Sequence, residues 1–330
     1  MSRKKLVVIV ATTLLVMMLG QFAGIHKFVA GGDPEKGNKL VLGLLGEQKE
    51  DDPLLAQIRA EADKRRIEPI DAVNDRVWKA VPGYNGREVD IDKTYEKAKA
   101  AGPGQKLEFV YRELKPKVSL DDLGAVPIFR GNPNKPMAAF MINVAWGNEY
   151  ITPMLDTLDE ANVKATFFFD GSWLKKNTDL ALEIQKRGHQ LENHAYSHPN
   201  MSQLDDSRAR LEISKTKDLL KEKLGVENRW FAPPSGDYNQ RTVDLAAEQG
   251  LKTVLWTVDT VDWQKPAAST IIQKIAQKVE PGSLILMHPT ASSRDALKGM
   301  IQVIERKGIK LGTVAETLSS ERIDTPGVER

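Results

Sequence analysis

From residue 137 onward, apolar runs of strand length alternate with amphipathic patterns of helix length. The apolar runs cover residues 137–144, 164–170, 189–195, 229–234, 252–259, 282–288 and 309–314. Between them, apolar residues recur at helix spacing near residues 150–161, 172–187, 205–223, 239–249, 268–279 and 292–307. Repeated β–α units of this length predict an α/β domain in which helices cover a parallel sheet. Seven units favour a barrel, closed or incomplete, over an open sheet.

Residues 51–130 carry a separate pattern that predicts a small α/β module. We expect helix over residues 51–80, a turn at residues 81–86, a helix over residues 91–101 and a strand over residues 107–114. Residues 131–136, rich in Gly, Asn and Pro, mark the boundary with the main domain at residues 137–320, and residues 321–330 form a tail. No motif in the small module carries chemistry, so it is either a spacer or a module that contacts the cell wall.

The first 30 residues combine basic side chains with a long apolar run. Three basic residues at positions 3–5 precede an apolar stretch over residues 6–25. A stretch of about 20 residues can span the hydrocarbon core of a membrane, and positive charge on its short side places that side in the cytoplasm. We therefore predict a membrane helix within residues 1–30 and a linker over residues 31–50, with a cleaved signal peptide as the alternative. In both cases the body of the protein lies outside the cytoplasm.

Composition narrows the chemistry that the chain can perform. The net charge is only +2 over 330 residues, so no strong positive field argues for binding to nucleic acid. The chain contains no cysteine. Disulfides, thiolate catalysis and cysteine zinc sites are therefore excluded.

Several polar side chains lie at or just after the ends of predicted strands. His194 and His198 are four residues apart, and they would face the same way and could bind one metal ion if the chain turned helically there. His288 ends one apolar run, and Asp259 and Asp262 follow another. Each of these residues has an ordinary alternative role as a packed, capping or surface residue. Because the carboxyl ends of parallel strands share one edge, we expect all five to converge on one cleft.

Five short motifs in this order resemble those of the polysaccharide deacetylase family, the NodB-type domain of carbohydrate esterase family 4. The family pattern reads TFDDG, H-[ST]-x-x-H, R-x-P-x-G, D-x-x-D-W and L-x-L-x-H. The chain reads INVA, HAYSH, APPSG, DTVDW and LILMH at the corresponding places, with Ala195 where Ser or Thr is usual. The resemblance implies a distorted (β/α)₇ barrel, a bound divalent metal ion, and removal of N-acetyl groups from chitin-like or peptidoglycan sugars.

The resemblance assigns roles to the residues that the chain retains. His194 and His198 match the two histidines that hold the metal ion. His288 matches the general acid that protonates the leaving amine, supported by Asp259, Asp262 and Trp263. The whole chain is also similar to membrane-anchored, sporulation-associated members of the family, which implies a place at the extracytoplasmic face of the cell envelope and a cell-wall glycan as partner.

Three family positions are altered. Asn143 stands where the carboxylate base is expected, and a neutral amide cannot accept the proton. Val144 stands where the metal carboxylate is expected, and an alkyl group cannot bind a metal ion. Ala232 stands where an arginine orients the base. Losing a general base alone costs about 10²–10⁴ in rate, and two histidines fall short of the three protein ligands usual at a catalytic zinc site.

These changes leave three hypotheses. The first is an envelope protein that binds glycan or a partner through the family groove with weak or absent catalysis, binding Zn²⁺ or Co²⁺ weakly or not at all. The second is an active metal-dependent N-deacetylase with a site rebuilt by Asn148, Glu149 or Asp259. The third is a structural scaffold that binds neither metal nor glycan. Four aromatic residues are candidates for stacking on sugar rings, although core packing is the alternative for each: Trp146, Tyr196, Trp256 and Trp263.

Overall fold

The computed structural model describes residues 52–102 and 104–323. The predicted membrane helix and linker, residues 1–50, lie outside the described residues, as does most of the predicted tail. Within the described ranges, no helix combines the length and the apolar character needed to cross a membrane. The described chain divides into two compact units, one of residues 52–65 with 89–110 and one of residues 66–88 with 111–323. The predicted limits of the small module, residues 51–130, stay a prediction.

The smaller unit is built on two capped helices, α1 (Pro53–Lys64) and α2 (Ile91–Ala101). The Asp52 carboxylate accepts a hydrogen bond from the backbone of Leu54 at 2.9 Å, and Pro53 opens α1, which is the residue type that suits a first helical turn. The Asp52 carboxylate also accepts the Tyr95 hydroxyl at 2.6 Å, which ties the two helices together. The predicted helix over residues 91–101 is confirmed.

The segment between these helices contradicts the predicted helix over residues 51–80. Only α1 is helical, and the chain then forms a hairpin of β1 (Val73–Asp75) and β2 (Lys79–Val81). The Asp75 carboxylate accepts hydrogen bonds from the backbones of Val77 and Trp78 and so builds the turn between the strands. The predicted strand over residues 107–114 is shorter, because only β4 (Tyr111–Leu114) pairs, with β3 (Gly86–Val89).

The larger unit holds a curled sheet of eight strands whose pairs are all parallel. The strands are β5 (Met137–Val144), β6 (Thr166–Phe169), β7 (Gln190–Asn193), β8 (Trp230–Phe231), β9 (Lys252–Thr253), β10 (Val258–Asp259), β11 (Leu284–Met287) and β12 (Lys310–Gly312). Their order is β10-β11-β5-β6-β7-β8-β9, and β12 also pairs with β5. This α/β half-barrel is consistent with the expected distorted (β/α)₇ barrel, and the strand positions match the apolar runs.

Helices flank this sheet. They are α3 (Asn148–Glu160), α4 (Gly171–Lys176), α5 (Thr178–Lys186), α6 (Asp206–Leu224), α7 (Gln240–Ala247), α8 (Ala268–Lys278), α9 (Ala291–Arg306) and α10 (Val314–Leu318). The single helix predicted over residues 172–187 is wrong, because α4 ends at Asn177 and α5 begins directly after it. The Asn177 side chain donates to the Trp173 carbonyl at 2.9 Å and so competes with helix continuation.

The strand predicted over residues 252–259 is also two strands. The residues between them connect one end of the sheet to the other. β9 pairs with β8 at one end of the sheet, and β10 pairs with β11 at the other. Between them, the Leu255 backbone donates to the Ile128 carbonyl, and the Thr257 backbone donates to the Leu284 carbonyl, both at 2.8 Å. The hydrogen bonds of this segment therefore change from one edge of the sheet to the other, with a bend at Thr257.

Strand β5 shows how the two sides of the sheet are filled. All eight of its residues are buried, as expected for a parallel strand covered on both faces. Phe140, Ile142 and Val144 pack in the cluster that lies between the sheet and the helices. Met141 packs in a second cluster, with Phe168 and Ala232, inside the curl of the sheet. Alternation along the strand thus places Asn143 on the inner side.

His189, which is buried beside Phe167, should make the free energy of unfolding depend on pH in the acid range. Its Nδ1 accepts the backbone N–H of Ala165 at 3.2 Å, so the ring is neutral with its proton on Nε2. Burial, with the nearby charges of Lys164 and Arg187 acting in the same direction, lowers the pKa of His189 to about 4. The unfolded chain therefore binds a proton that the folded chain does not in the window between pH 6.5 and pH 4.

We expect the free energy of unfolding to fall by about 3 kcal/mol through His189 as the pH drops from 6.5 to 4. The variant His189→Asn keeps an acceptor for the Ala165 N–H but does not titrate. Urea unfolding at pH 7 and at pH 4 should show a smaller loss of stability in this variant. An equal loss in both proteins would contradict the assignment.

Candidate functional site

A cavity of about 420 Å³ opens at the carboxyl ends of the parallel strands. Its size is within the range typical of small-ligand sites. The polar groups in its wall come from the ends of five strands, with His194 and His198 both following β7, and this is how folds of this class assemble a site. The lining residues are Asn143, Ala145, Trp146, His194, His198, Ser235, Trp256, Asp259, Trp263, Leu286 and His288. The predicted convergence of the strand ends is therefore observed for most of the predicted site residues.

His194 and His198 lie together, with ring centroids 5.1 Å apart and ring planes at 71°. The expected helical turn is absent from this segment. Instead, Ala195 and His198 adopt left-handed backbone conformations, with φ of 59° and 57°, and the loop bends sharply. The Glu212 carboxylate secures this bend by accepting the backbone N–H groups of Tyr196 and Ser197.

His194 is a neutral imidazole of fixed orientation. Its Nδ1 lies 2.7 Å from the carbonyl oxygen of Ala232, and a carbonyl can only accept, so Nδ1 carries the proton. Nε2 is then left as an acceptor on a ring that lines the cavity. Complete burial, followed by the neighbouring His198, lowers the pKa of His194 to about 3.

His288 is held by Asp262. The Asp262 carboxylate accepts the His288 Nδ1–H at 2.8 Å and the His288 backbone N–H at 2.7 Å. It also accepts the hydroxyl groups of Thr290 at 3.1 Å and Ser293 at 2.6 Å. Burial acts to raise the pKa of Asp262, but the hydrogen bonds from His288 and Ser293 outweigh it, and the net shift is downward. The carboxylate is therefore charged and fully engaged at neutral pH.

Asp259 has a different place from Asp262. It lines the cavity, and its carboxylate accepts the backbone N–H of Val261 at 2.7 Å. Its carbonyl oxygen accepts Lys274 Nζ at 3.2 Å. Of the two expected supports of His288, the structure thus brings Asp262 to the imidazole and leaves Asp259 in the cavity wall.

Asn143 and Val144 end strand β5 on opposite faces. Asn143 is 3% exposed and lines the cavity, and its Oδ1 is buried without a hydrogen-bond partner among the described residues. Val144 is fully buried in the cluster beneath the helices and does not line the cavity. The side chain at the position expected to carry a metal carboxylate is therefore part of the hydrophobic core.

The Ala232 side chain likewise packs in an apolar cluster. It is fully buried inside the curl of the sheet, among Met141, Phe168, Trp230 and Val254. Its backbone carbonyl holds His194, but its side chain leaves no polar group in the place expected for an arginine. An arginine without the carboxylate that it normally orients would be a buried, unpaired charge, which is costly.

The donors in the wall do not fit a catalytic metal ion. Within residues 52–102 and 104–323, no three or more His, Cys, Asp or Glu side chains are grouped so that they could hold one. His194 and His198 supply two nitrogens, whereas a catalytic zinc site ordinarily has three protein ligands. Of the three side chains suggested for a rebuilt site, only Asp259 lines the cavity, and the other two lie elsewhere. Asn148 is bound by Trp173 and Asn177 at 2.7 Å, and Glu149 is exposed in the first turn of α3.

Three tryptophans rim or line the cavity. Trp146 is 48% exposed and stacks on the His288 ring, with centroids 5.9 Å apart and planes 11° from parallel. Trp263 is 55% exposed. Trp256 packs over Gly236, where an added Cβ would come within 2.8 Å of the indole. Tyr196, the fourth aromatic candidate, does not line the cavity and lies beneath Lys215 Nζ, 5.0 Å from its ring centroid.

The loop that carries Trp146 is fixed by Gly147. This residue has φ of 83°, and a Cβ there would lie 2.0 Å from the carbonyl oxygen of Pro289. Only glycine permits this combination of left-handed backbone and close approach. The loop after β5 is thereby pressed against the loop after β11, which brings Trp146 onto His288.

Sequence reasoning did not single out several residues of the site. Ser235 and Leu286 line the cavity, and Thr290 and Ser293 hold Asp262. Ser235 and Leu286 belong to two of the recognised motifs, so their strand-end position was a usable signal. Thr290 and Ser293 lie at the start of α9, where capping alone accounts for a Thr, so no sequence pattern connects them with Asp262.

Comparison with known proteins supports one family. The family model for polysaccharide deacetylases matches residues 130–254. The YlxY protein of Bacillus subtilis (strain 168) is 43% identical over 294 residues, which cover 87% of this chain and 92% of that protein. The chain belongs to the polysaccharide deacetylase family. A peptidoglycan-N-acetylglucosamine deacetylase of Bacillus cereus is 33% identical over 199 residues, covering 59% of this chain and 72% of that enzyme.

Solved structures place a pseudoenzyme among the relatives. Wild-type BA3943 of Bacillus anthracis, a CE4 family pseudoenzyme, has 40% sequence identity and a TM-score of 0.77, covering 83% of this chain and 98% of that chain. A BA3943 mutant with restored enzymatic activity has 39% identity and a TM-score of 0.76. Together with Asn143, Val144 and Ala232, these likenesses identify this chain as a deacetylase-family protein with a degenerate site.

The different roles of Asp262 and Asp259 can be tested by paired amide substitutions. Asp262→Asn places an NH₂ group among four donors, so we expect the free energy of unfolding to fall by roughly 2–4 kcal/mol. Asp259→Asn disturbs a single backbone hydrogen bond and should cost under about 1 kcal/mol. Urea unfolding of both variants makes the comparison, and equal losses would show that the Asp262 network is not the stronger support.

Proposed function

We propose that this protein is a glycan-binding member of the polysaccharide deacetylase family in the cell envelope, with little or no deacetylase activity. The observation that carries the proposal is the neutral end of β5. Asn143 cannot act as the base, and Val144, buried in the core, cannot hold a metal ion. We expect His194 and His198 to bind Zn²⁺ or Co²⁺ weakly or not at all.

The ligand that we propose is an N-acetylated cell-wall glycan. Relatives of this chain are named as peptidoglycan-N-acetylglucosamine deacetylases, and the cavity with its exposed tryptophans is open at the carboxyl ends of the strands. Exposed tryptophans beside a cavity suit a sugar, because an indole can cover the apolar face of a sugar ring. The cavity therefore has the means to bind such a glycan without cleaving its acetyl group.

We also propose that residues 1–30 anchor the protein to the membrane, with the folded units at the extracytoplasmic face and a role in sporulation. The basic residues before a long apolar run support the anchor and its orientation. The peptidoglycan named for a relative supports a place in the cell envelope.

Acetate release tests the proposed loss of activity. The full-length protein is incubated with peptidoglycan and with N-acetylglucosamine oligomers in the presence of Zn²⁺ or Co²⁺, beside the variant Asn143→Asp/Val144→Asp/Ala232→Arg. We expect the variant to be faster than the native protein by at least about 10²-fold, because it regains a base and a metal carboxylate. Adding His288→Ala to the variant should abolish the gain.

The same variant should be less stable than the native protein when no metal is added. Two of its substitutions place polar groups at fully buried positions, Val144 and Ala232. Thermal unfolding should therefore begin at a lower temperature, and Zn²⁺ should raise that temperature.

In the acetate assay, acetate released by the native protein and lost in His288→Ala would instead favour an active, metal-dependent N-deacetylase with a rebuilt site.

A further inference from the structure

The amide of Asn143 is the least satisfied polar group of the cavity wall. Its Oδ1 is buried without a partner in the described part of the chain, although the residue is only 3% exposed. Leaving such a group unpaired costs free energy. An amide also differs from a carboxylate in kind, because it carries a donor as well as an acceptor and can exchange the two by rotation.

Two neighbouring polar groups are complementary to hydroxyl or amide groups. His194 donates through Nδ1 to the Ala232 carbonyl, which leaves Nε2 as an acceptor. Ser235 contributes a hydroxyl to the same wall. The carboxylate of Asp259 is already bonded to the Val261 backbone, and no cation-binding group of three acidic or imidazole side chains exists among the described residues. These parts of the wall suit a ligand with several hydroxyl or amide groups.

Trp146 supplies an apolar surface beside these polar groups. Its ring lies on His288, which is itself held by Asp262, so one face of the indole is supported while 48% of the residue stays exposed. Gly147 and Pro289 fix the loop that carries it. A rigid, half-exposed aromatic ring loses little conformational freedom on binding, which favours it as a contact for a sugar ring.

We infer that the cavity is a metal-independent binding site for an uncharged N-acetylated amino sugar, in which the Asn143 amide hydrogen-bonds the ligand and Trp146, stacked on His288, covers one face of the sugar ring. The choice of an N-acetylated amino sugar rests on the proposed function. The independence from metal and the roles of Asn143 and Trp146 rest on the geometry of this chain.

Replacing Asn143 by aspartate should have opposite effects on glycan binding and on catalysis. An aspartate would restore the proton acceptor that deacetylation requires, but it would remove the amide donor and add a negative charge beside Asp259. Asn143→Asp should therefore weaken metal-free glycan binding even though it is a necessary step towards activity. A residue kept only as a passive remnant would show no such opposition.

The test is isothermal titration of the full-length protein with the N-acetylglucosamine tetramer, in EDTA and in Zn²⁺. We expect the same affinity in both conditions. Trp146→Ala should weaken binding about tenfold, while Trp146→Phe, which keeps an aromatic face, should lose less. Asn143→Asp should weaken binding about 2–10-fold, and the control Asn134→Asp, which adds the same charge at an exposed position outside the cavity, should bind like the native protein.

Four outcomes would overturn the inference: binding that disappears in EDTA and returns with Zn²⁺, native affinity in both Trp146→Ala and Asn143→Asp, stronger binding of the deacetylated glucosamine tetramer, or no binding of either tetramer. The third would assign the cavity to a cation held by Asp259. None of them alters the acetate assay, so the proposed lack of turnover stands or falls separately. Asn143→Asp is nearly isosteric, and thermal unfolding of each variant verifies that it is folded.

Discussion

The architecture of the larger unit depends on one extended segment that is hydrogen-bonded to both edges of the sheet. Residues 252–259 pair with β8 at their start and with β11 at their end, and the Ile128 strand fragment fills the space between. Without this segment the sheet would have two open edges, each with unpaired backbone groups. The cavity lies where the strands of this curled sheet end: Asn143 is the penultimate residue of β5, and His194 and His288 directly follow β7 and β11.

Physical chemistry explains which parts of this arrangement can be predicted from the sequence. Strand β5 was predictable in full because eight consecutive buried residues leave no other interpretation of its length and flanks. The break within residues 252–259 was not, since Val254, Leu255 and Trp256 continue the apolar run and only the bend at Thr257 and the change of partners mark it. The helix predicted beyond Lys64 failed because the Asp75 turn, a local hydrogen-bond pattern, overrides a weak apolar period. In the site, motif spacing located His194, His198 and His288, but only coordinates could separate Asp262 from Asp259.

The altered positions are not simple deletions of catalytic groups. Val144 and Ala232 are each fully buried and belong to two different apolar clusters, one on either side of β5. Each substitution removes a polar group that would need a partner and replaces it with packing that needs none. The site has therefore lost charge and gained core stability at the same positions. Restoring the family residues would reverse this gain, which couples any recovered activity to a loss of stability.

Retention of His194 and His288 is then informative in a different way. Both are held by bonds that do not depend on a metal ion: His194 by the Ala232 carbonyl, and His288 by a carboxylate that accepts four hydrogen bonds. If His194 and His288 were only remnants of a metal site, nothing would offset the free energy that the unpaired Asn143 amide costs in the absence of a ligand. A neutral ligand that bonds to Asn143 and stacks on Trp146 removes that cost. The same substitution that ends base catalysis thus makes the cavity more suitable for holding an intact acetylated sugar.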